Sequence, residues 1–446
     1  MPPVPRRIAL ALAAVLALAA AALPAAGARA AAPQLPPRDP AIAGETLRVA
    51  PGVRFYHLLA RAADPAAPLV LYLAGGPGAS SLSPAFVGNG PWLLEDPFAP
   101  GTPRVRPNPW SFHRLAHVVY LDQPRHTGFS HGRAPYVTTL RAAGRDLVAW
   151  LRAFDRRHPE LADRPLVVAG ESFAGAYLSE LTRRLLAGQG GAHRFAGVFL
   201  EAPSLGPAGA APAWTERAAL CRMGLVPAGA CAPGAPGSRA ALQAESALTP
   251  MRTGVLRFGR GPRVPRALRG VRVPMPLDGL EFPAGGLVRR HLGFSPNPYD
   301  VRLPCRPSGG FPPWCYDQRK LTALLDAPRT RAWLGGGIPA RRPWRFADFA
   351  VSVALSFRDR PPSNAPYAAA LRAGVPVTIV FGGRDWIVNP VSGRWLADRI
   401  AAAAGAAADR LTVVELAEAG HLVGHDQPEA TFRLLERLLA VSGASP

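Results

Sequence analysis

Three short apolar runs constrain the fold of this chain more than any other feature. "APLVLYLAGG", "LAHVVYLDQP" and "RPLVVAGES" are rich in aliphatic and β-branched residues, and each stops at a turn or a polar residue, as buried parallel strands do. Between the second and third, "RAAGRDLVAWLRAFDRRHP" spaces Leu147, Trp150, Leu151 and Phe154 along one helical face. Strand, helix, strand in this order predicts an α/β fold, with a mostly parallel central sheet and helices on both faces. "FAGVFLEAPSLGP" adds a strand, after which the periodicity collapses from about 206 to 345 in a stretch rich in Pro, Gly and Arg. A structureless loop of that length is improbable in a compact domain, so the stretch reads as an inserted subdomain. The alternation resumes with "VPVTIVFGGRDWIV", "SGRWLADRIAAAA", "LTVVELAEAGH" and "PEATFRLLERLLAV". The expected division is a first core part over 46–205, the insertion over 206–345 and a second core part over 346–446.

The chain has 446 residues, ample to bury a large core. It opens with Arg6 and Arg7, an apolar stretch from Ile8 to Leu23, and Ala28-Arg29-Ala30, the pattern of a cleavable export signal over 1–30. The alternative is an uncleaved anchor, because the apolar run approaches the length of a membrane span. A Pro-rich lead-in follows over 31–45. The expected location is periplasmic or secreted, with no stable membrane insertion once the signal is cut. Export makes disulfides plausible for the four cysteines, Cys221, Cys231, Cys305 and Cys315. Two local bridges, 221 with 231 and 305 with 315, are the first choice, and a nested pairing stays open. No zinc-type spacing accompanies these cysteines, and neither metal nor cofactor is expected.

The net charge of +21 invites a nucleic-acid reading. The positive charge is almost all scattered arginine, with Lys320 the only lysine, and no basic-aromatic interleaving or nucleic-acid module appears. The expected partner is a peptide or protein substrate, not nucleic acid; charge alone implies only loose attraction to anionic surfaces.

"VVAGESFAGAY" places Ser172 between a strand and a helix, with the small residues Gly170 and Ala174 two places either side. A sharp strand-to-helix turn needs such neighbours if the hydroxyl is to stand clear of the backbone. Ser172 is therefore the candidate nucleophile; an ordinary helix-capping serine is the plainer alternative. A serine needs a base, and the base needs an acid to hold one tautomer. Asp385 follows the strand "VTIVFGGR" and His421 the strand "LTVVELAEAG", in the order Ser, Asp, His. His425 is a rival base further from the strand end. The oxyanion donors are expected at the N–H of Phe173 and in Gly75-Gly76-Pro77-Gly78, with Gly76 the candidate.

Four ordered motifs carry a family resemblance. "LYLAGGPGASS", "YLDQPRHTGFSHG", "GESFAGAY" and "GHLVGHDQPEA" are similar to the W-L-N-G-G-P-G-C-S-S, Y-L-D-Q-P-x-G-T-G-F-S, G-E-S-Y-A-G-x-Y and G-H-x-V-P-x-D-Q-P motifs of the serine carboxypeptidases, a peptidase family of the α/β-hydrolase superfamily. The resemblance spans about 45–441. It implies an α/β-hydrolase fold, a Ser172, Asp385, His421 triad, an oxyanion hole of Gly76 and Phe173, a cap formed by the insertion, and a substrate site that includes Glu171, Gly75 and Tyr72. It implies release of C-terminal residues from peptides.

The departures matter too. Ala74 stands where the family has an asparagine for the substrate carboxylate, Gly88 where it has a glutamate, Tyr72 where it has tryptophan and Ala79 where it has cysteine. Of the carboxylate-binding set only Glu171 is kept, which leaves open an aminopeptidase, esterase or acyltransferase with an altered pocket, and a non-catalytic binding relative. Arg125, in "PRHTG", is a candidate compensating cation.

Overall fold

The computed structural model describes residues 32–205, 211–231, 253–257, 264, 269, 272–276, 285–305, 315–356 and 363–444. The expected signal over 1–30 and much of the insertion lie outside them. Strand β1 (Ile42–Ala50) turns through Gly52, at φ +70°, into an antiparallel partner β2 (Val53–Ala60). Strands β3 (Leu69–Leu73), β4 (His117–Leu121), β5 (Leu166–Glu171), β6 (Phe195–Glu201), β7 (Val377–Gly382) and β8 (Leu411–Leu416) follow. They lie in the order β1-β2-β4-β3-β5-β6-β7-β8, with the short strand His131–Gly132 also paired to β2. From β4 to β8 every pairing is parallel. The chain therefore folds as an α/β-hydrolase.

Alternation along the strands explains the two layers. Leu69, Leu71 and Leu73 enter one core cluster with helices α1 (Leu140–Arg157), α2 (Ala174–Leu186), α3 (Ala365–Arg372) and α4 (Pro390–Ala404). Val70 and Tyr72 point to the other face, where Phe86, Leu324 and helix α5 (Pro428–Val441) pack. The predicted stripe of Leu147, Trp150, Leu151 and Phe154 is fully buried. Thr139 caps α1 by accepting from Ala142 N, and Asn389 caps α4 ahead of Pro390 by accepting from Ser392 N.

The two local disulfides, Cys221–Cys231 and Cys305–Cys315, are formed. A small cluster of Leu220, Leu225, Val226, Val288 and Val301 buries Trp386, which follows Asp385 directly, so these residues brace that loop. Leu321, Leu324, Leu325, Leu334 and Trp344 pack in the same core cluster as Tyr72 and Tyr120. Ala79, at the site of the family cysteine, bridges Ala347, and Ser80 N donates to Phe346 O at 2.8 Å. Backbone pairing thus holds this loop to the chain beyond the insertion.

Candidate active site

The C-terminal ends of parallel strands gather loops at one edge of a sheet, where ligands of open α/β folds bind. β5 ends in the turn that carries Ser172 at φ +58°, a left-handed conformation uncommon for a residue with a side chain. The turn is held by backbone: Ser172 N donates to Glu201 O at 2.9 Å, and Ser172 O accepts from Gly175 N and Ser204 N. Its small neighbours are required. A Cβ on Gly170 would fall 2.4 Å from Leu73 O and 2.7 Å from Ala174 Cβ.

The glycine loop after β3 presses against this turn. A Cβ on Gly75 would lie 2.5 Å from Phe173 N and 2.7 Å from Ser172 Cβ, so only glycine lets the two backbones meet. Gly76 follows at φ +104°. The loop is anchored by Asp122 of "YLDQP", whose buried carboxylate accepts from Ser80 Oγ (2.6 Å), Ser81 N (3.0 Å) and Phe129 N (2.8 Å). Burial raises the Asp122 pKa to about 6 against those hydrogen bonds. Ser81 Oγ donates to Leu121 O and accepts from Ala74 N, tying the ends of β3 and β4 together.

Asp385, fully buried after β7, accepts from Val388 N on Oδ1 (3.1 Å) and from His421 Nδ1 on Oδ2 (2.7 Å). That bond fixes the His421 tautomer with its proton on Nδ1 and leaves Nε2 as the basic nitrogen. His421 N donates to Tyr299 O at 2.6 Å, and the Tyr299 ring meets the imidazole edge to face. Burial works to lower the His421 pKa, but the charge and hydrogen bond of Asp385, with Glu171 adding, raise it above the usual histidine value. His425 instead donates from Nδ1 to Val87 O at 2.9 Å and packs on Phe98, with no carboxylate hydrogen-bonded to its ring among the described residues.

Glu171, one residue before Ser172, is partly open to the cleft but crowded enough that desolvation raises its pKa to about 7, with His421 pulling the other way. The sequence reading missed its partner. Glu201, at the end of β6, sits directly opposite Glu171 in the parallel register and lines the same small cavity, with Tyr72, Gly88 and Asn89. Burial drives the Glu201 pKa up to about 8; hydrogen bonds from Tyr72 and Asn89 oppose this and the Glu171 charge reinforces it. Tyr72 Oη donates to Glu201 Oε2 at 2.5 Å and Asn89 Nδ2 donates to the same oxygen at 3.0 Å. Glu201 Oε1 is buried with no partner among the described residues. A signal was present, since "VVAGE" and "VFLE" are neighbouring buried strands that both end in glutamate. Tyr72 itself is fully buried and acts on Glu201.

Arg125 is committed elsewhere. Its Nε and Nη2 donate to Asp146 Oδ2 and Oδ1 at 2.6 and 2.9 Å, and Nη1 donates to Pro135 O. A bidentate pair with a residue of α1 removes it as the compensating cation.

The serine carboxypeptidase family model matches residues 50–231. Carboxypeptidase Y homolog A of Leptosphaeria maculans is 26% identical over 397 residues, 84% of this chain and 68% of that protein. Carboxypeptidase Y homolog A of Emericella nidulans is 38% identical over 122 residues, 27% of this chain, and carboxypeptidase Y of Schizosaccharomyces pombe 38% over 128, or 29%. Those two matches span only 21% and 12% of the relatives' own length. The crystal structure of Kex1(delta)p, a prohormone-processing carboxypeptidase from Saccharomyces cerevisiae, shares the fold with a TM-score of 0.65 and 15% identity, over 90% of this chain and 91% of that one. The chain is thus similar in sequence to serine carboxypeptidases and shares their fold.

Proposed function

We propose that this chain is an exported serine carboxypeptidase that releases C-terminal residues from peptides through an acyl-enzyme on Ser172. The observation that carries the reading is the buried Asp385 to His421 hydrogen bond, set beside a serine turn that only glycine neighbours permit. His421 Nε2 takes the proton of Ser172 Oγ as the oxygen attacks the scissile carbonyl carbon. The N–H groups of Gly76 and Phe173 receive the oxyanion. Collapse breaks the C–N bond, and His421 passes its proton to the departing amine. Water, deprotonated by the same imidazole, then releases the acyl group and restores Ser172.

The terminal carboxylate is recognised by Glu171 and Glu201. When protonated, each is a neutral acid able to donate to a substrate carboxylate, and their raised pKa values hold the protons toward neutral pH. Glu201 supplies the carboxyl group that Gly88 does not. Protonation of Glu171 also removes one of the charges that raises the His421 pKa, so acid strengthens the grip while relieving pressure on the base.

One observation favours a second reading. The orphan Glu201 Oε1 is an acceptor, and an ionised pair would bind a substrate ammonium, as an aminopeptidase requires. A panel of peptides with free and blocked termini, read by mass spectrometry across pH, separates the two. Loss of residues from free C-termini, halted by amidation and strongest below about pH 7, is the expected result. Cleavage that needs a free N-terminus overturns the carboxypeptidase reading, and absence of fluorophosphonate labelling at Ser172 overturns the enzyme reading.

A further inference from the structure

Outside the Asp385–His421 pair, a second histidine-carboxylate group is left incomplete. Glu45 on β1 and His57 on β2 are directly paired across the antiparallel ladder, so their side chains share one face. His158, the C-cap of α1, closes over them. His158 Nε2 lies 2.7 Å from Glu45 Oε2, whereas His57 Nε2 stands 3.8 Å from the same oxygen, beyond hydrogen-bond reach. His57 is fully buried, and neither ring nitrogen has a partner among the described residues. Buried polar atoms left unpaired are rare and ask for a missing group.

We propose that His57 Nε2, His158 Nε2 and Glu45 Oε2 form a metal site suited to Zn²⁺. Each of the three residues offers a donor atom within 4.8 Å of the other two, and the 2.7 and 3.8 Å distances to Glu45 Oε2 bracket the separations of about 3.3–3.6 Å that a tetrahedral ion imposes with bonds of about 2.0–2.2 Å. Two imidazoles and one carboxylate are a borderline-soft donor set that favours zinc over calcium or magnesium. The His57 ring is fixed edge to face against Trp150 and Phe154, with ring centroids 5.5 Å apart in both pairs. Outer partners are in place. Glu45 Oε1 keeps Arg157 Nη2 at 2.7 Å, and Glu160 Oε1 stands 3.5 Å from His158 Nδ1, ready to accept its proton once Nε2 ligates. Arg61, now 3.2 Å from that Nδ1, already has Glu160 as an alternative partner at 2.7 Å. Glu45 and Arg157 line a hollow on the surface, which gives an ion a way in. The fourth position falls to water.

The test titrates Zn²⁺ into the chelator-treated full chain by calorimetry and reads Co²⁺ substitution by its visible spectrum. The wild type is expected to bind one equivalent, show a four-coordinate Co²⁺ spectrum and gain several degrees in Tm with Zn²⁺. His57→Phe keeps the packing against Trp150 and Phe154 but should lose about 100-fold or more in affinity and all of the Tm gain. Glu45→Gln provides a second variant should the first fold poorly, with the same expected loss. Peptidase activity of either folded variant without metal should match the wild type. No Zn²⁺ bound by the wild type, the outcome if water alone bridges His57 and Glu45, overturns the proposal. So does a His57→Phe protein that binds Zn²⁺ as the wild type does.

Discussion

Two carboxylate-histidine groups in this molecule have opposite electrostatics. At the ends of β7 and β8, Asp385 spends one oxygen on His421 and the other on a backbone N–H, and the imidazole pKa rises. On the antiparallel β1–β2 pair, Glu45 divides itself between His158 and Arg157, and burial, with the nearby His158 and Arg157, drives the His57 pKa down to about 3. The residue types are alike; burial lowers both imidazole pKa values, and only His421 holds a carboxylate hydrogen bond that overcomes it.

The sharpest way to break the comparison is at the first pair. Ser172→Ala should lower kcat/KM by about 10⁵–10⁶ and abolish fluorophosphonate labelling. Asp385→Asn should cost about 10⁴ in kcat with little change in KM, since it misorients the His421 tautomer. A comparable loss from Glu45→Gln would erase the distinction between the two groups.

Gly75→Ala sharpens the geometry, because its new Cβ would fall 2.5 Å from Phe173 N. Stopped-flow acylation should slow by about 10²–10³, the scale of a lost oxyanion donor.

Glu201→Gln tests the carboxyl pair. KM for free C-termini should rise about tenfold with kcat for C-terminal esters almost unchanged. In the wild type, KM should climb as pH rises through about 7 to 8, where Glu171 and Glu201 ionise, and the variant should show a smaller climb. The stability sign follows from the same shift. Glu201 binds its proton more tightly folded than unfolded, so its contribution is complete below about pH 4.5 and fades as pH rises toward 8. Urea unfolding should therefore find Glu201→Gln more stable than wild type at pH 8, by about 2–4 kcal/mol, and nearly equal to it at pH 4.

The smallest effect is expected at Arg125→Ala. Breaking the part-buried pair with Asp146 should cost about 1–2 kcal/mol in unfolding free energy and leave the preference for free over amidated C-termini intact. A changed preference would restore Arg125 as a substrate cation.

Much of this site was legible in the sequence for a physical reason. Buried parallel strands must end in turns, and turns that hold a nucleophile or an oxyanion donor need small residues at fixed places. Gly170, Gly75 and Ala174 mark the elbow, and Asp385 and His421 each follow a strand, so local chemistry announced them. Arg125 was misread because charge without a partner in sequence looks free, and its partner Asp146 lies on a helix further along the chain.

What the sequence determined by itself was the α/β layering, the strand ends and the residue types that sit on them, because hydrophobic period and turn chemistry act over a few residues. Which strand lies beside which was decided only by the tertiary structure. Glu171 and Glu201 become a pair because β5 and β6 share a register, and Glu45, His57 and His158 meet because α1 closes over β1 and β2. Burial then sets the charge of each group, and burial is a property of the packed whole.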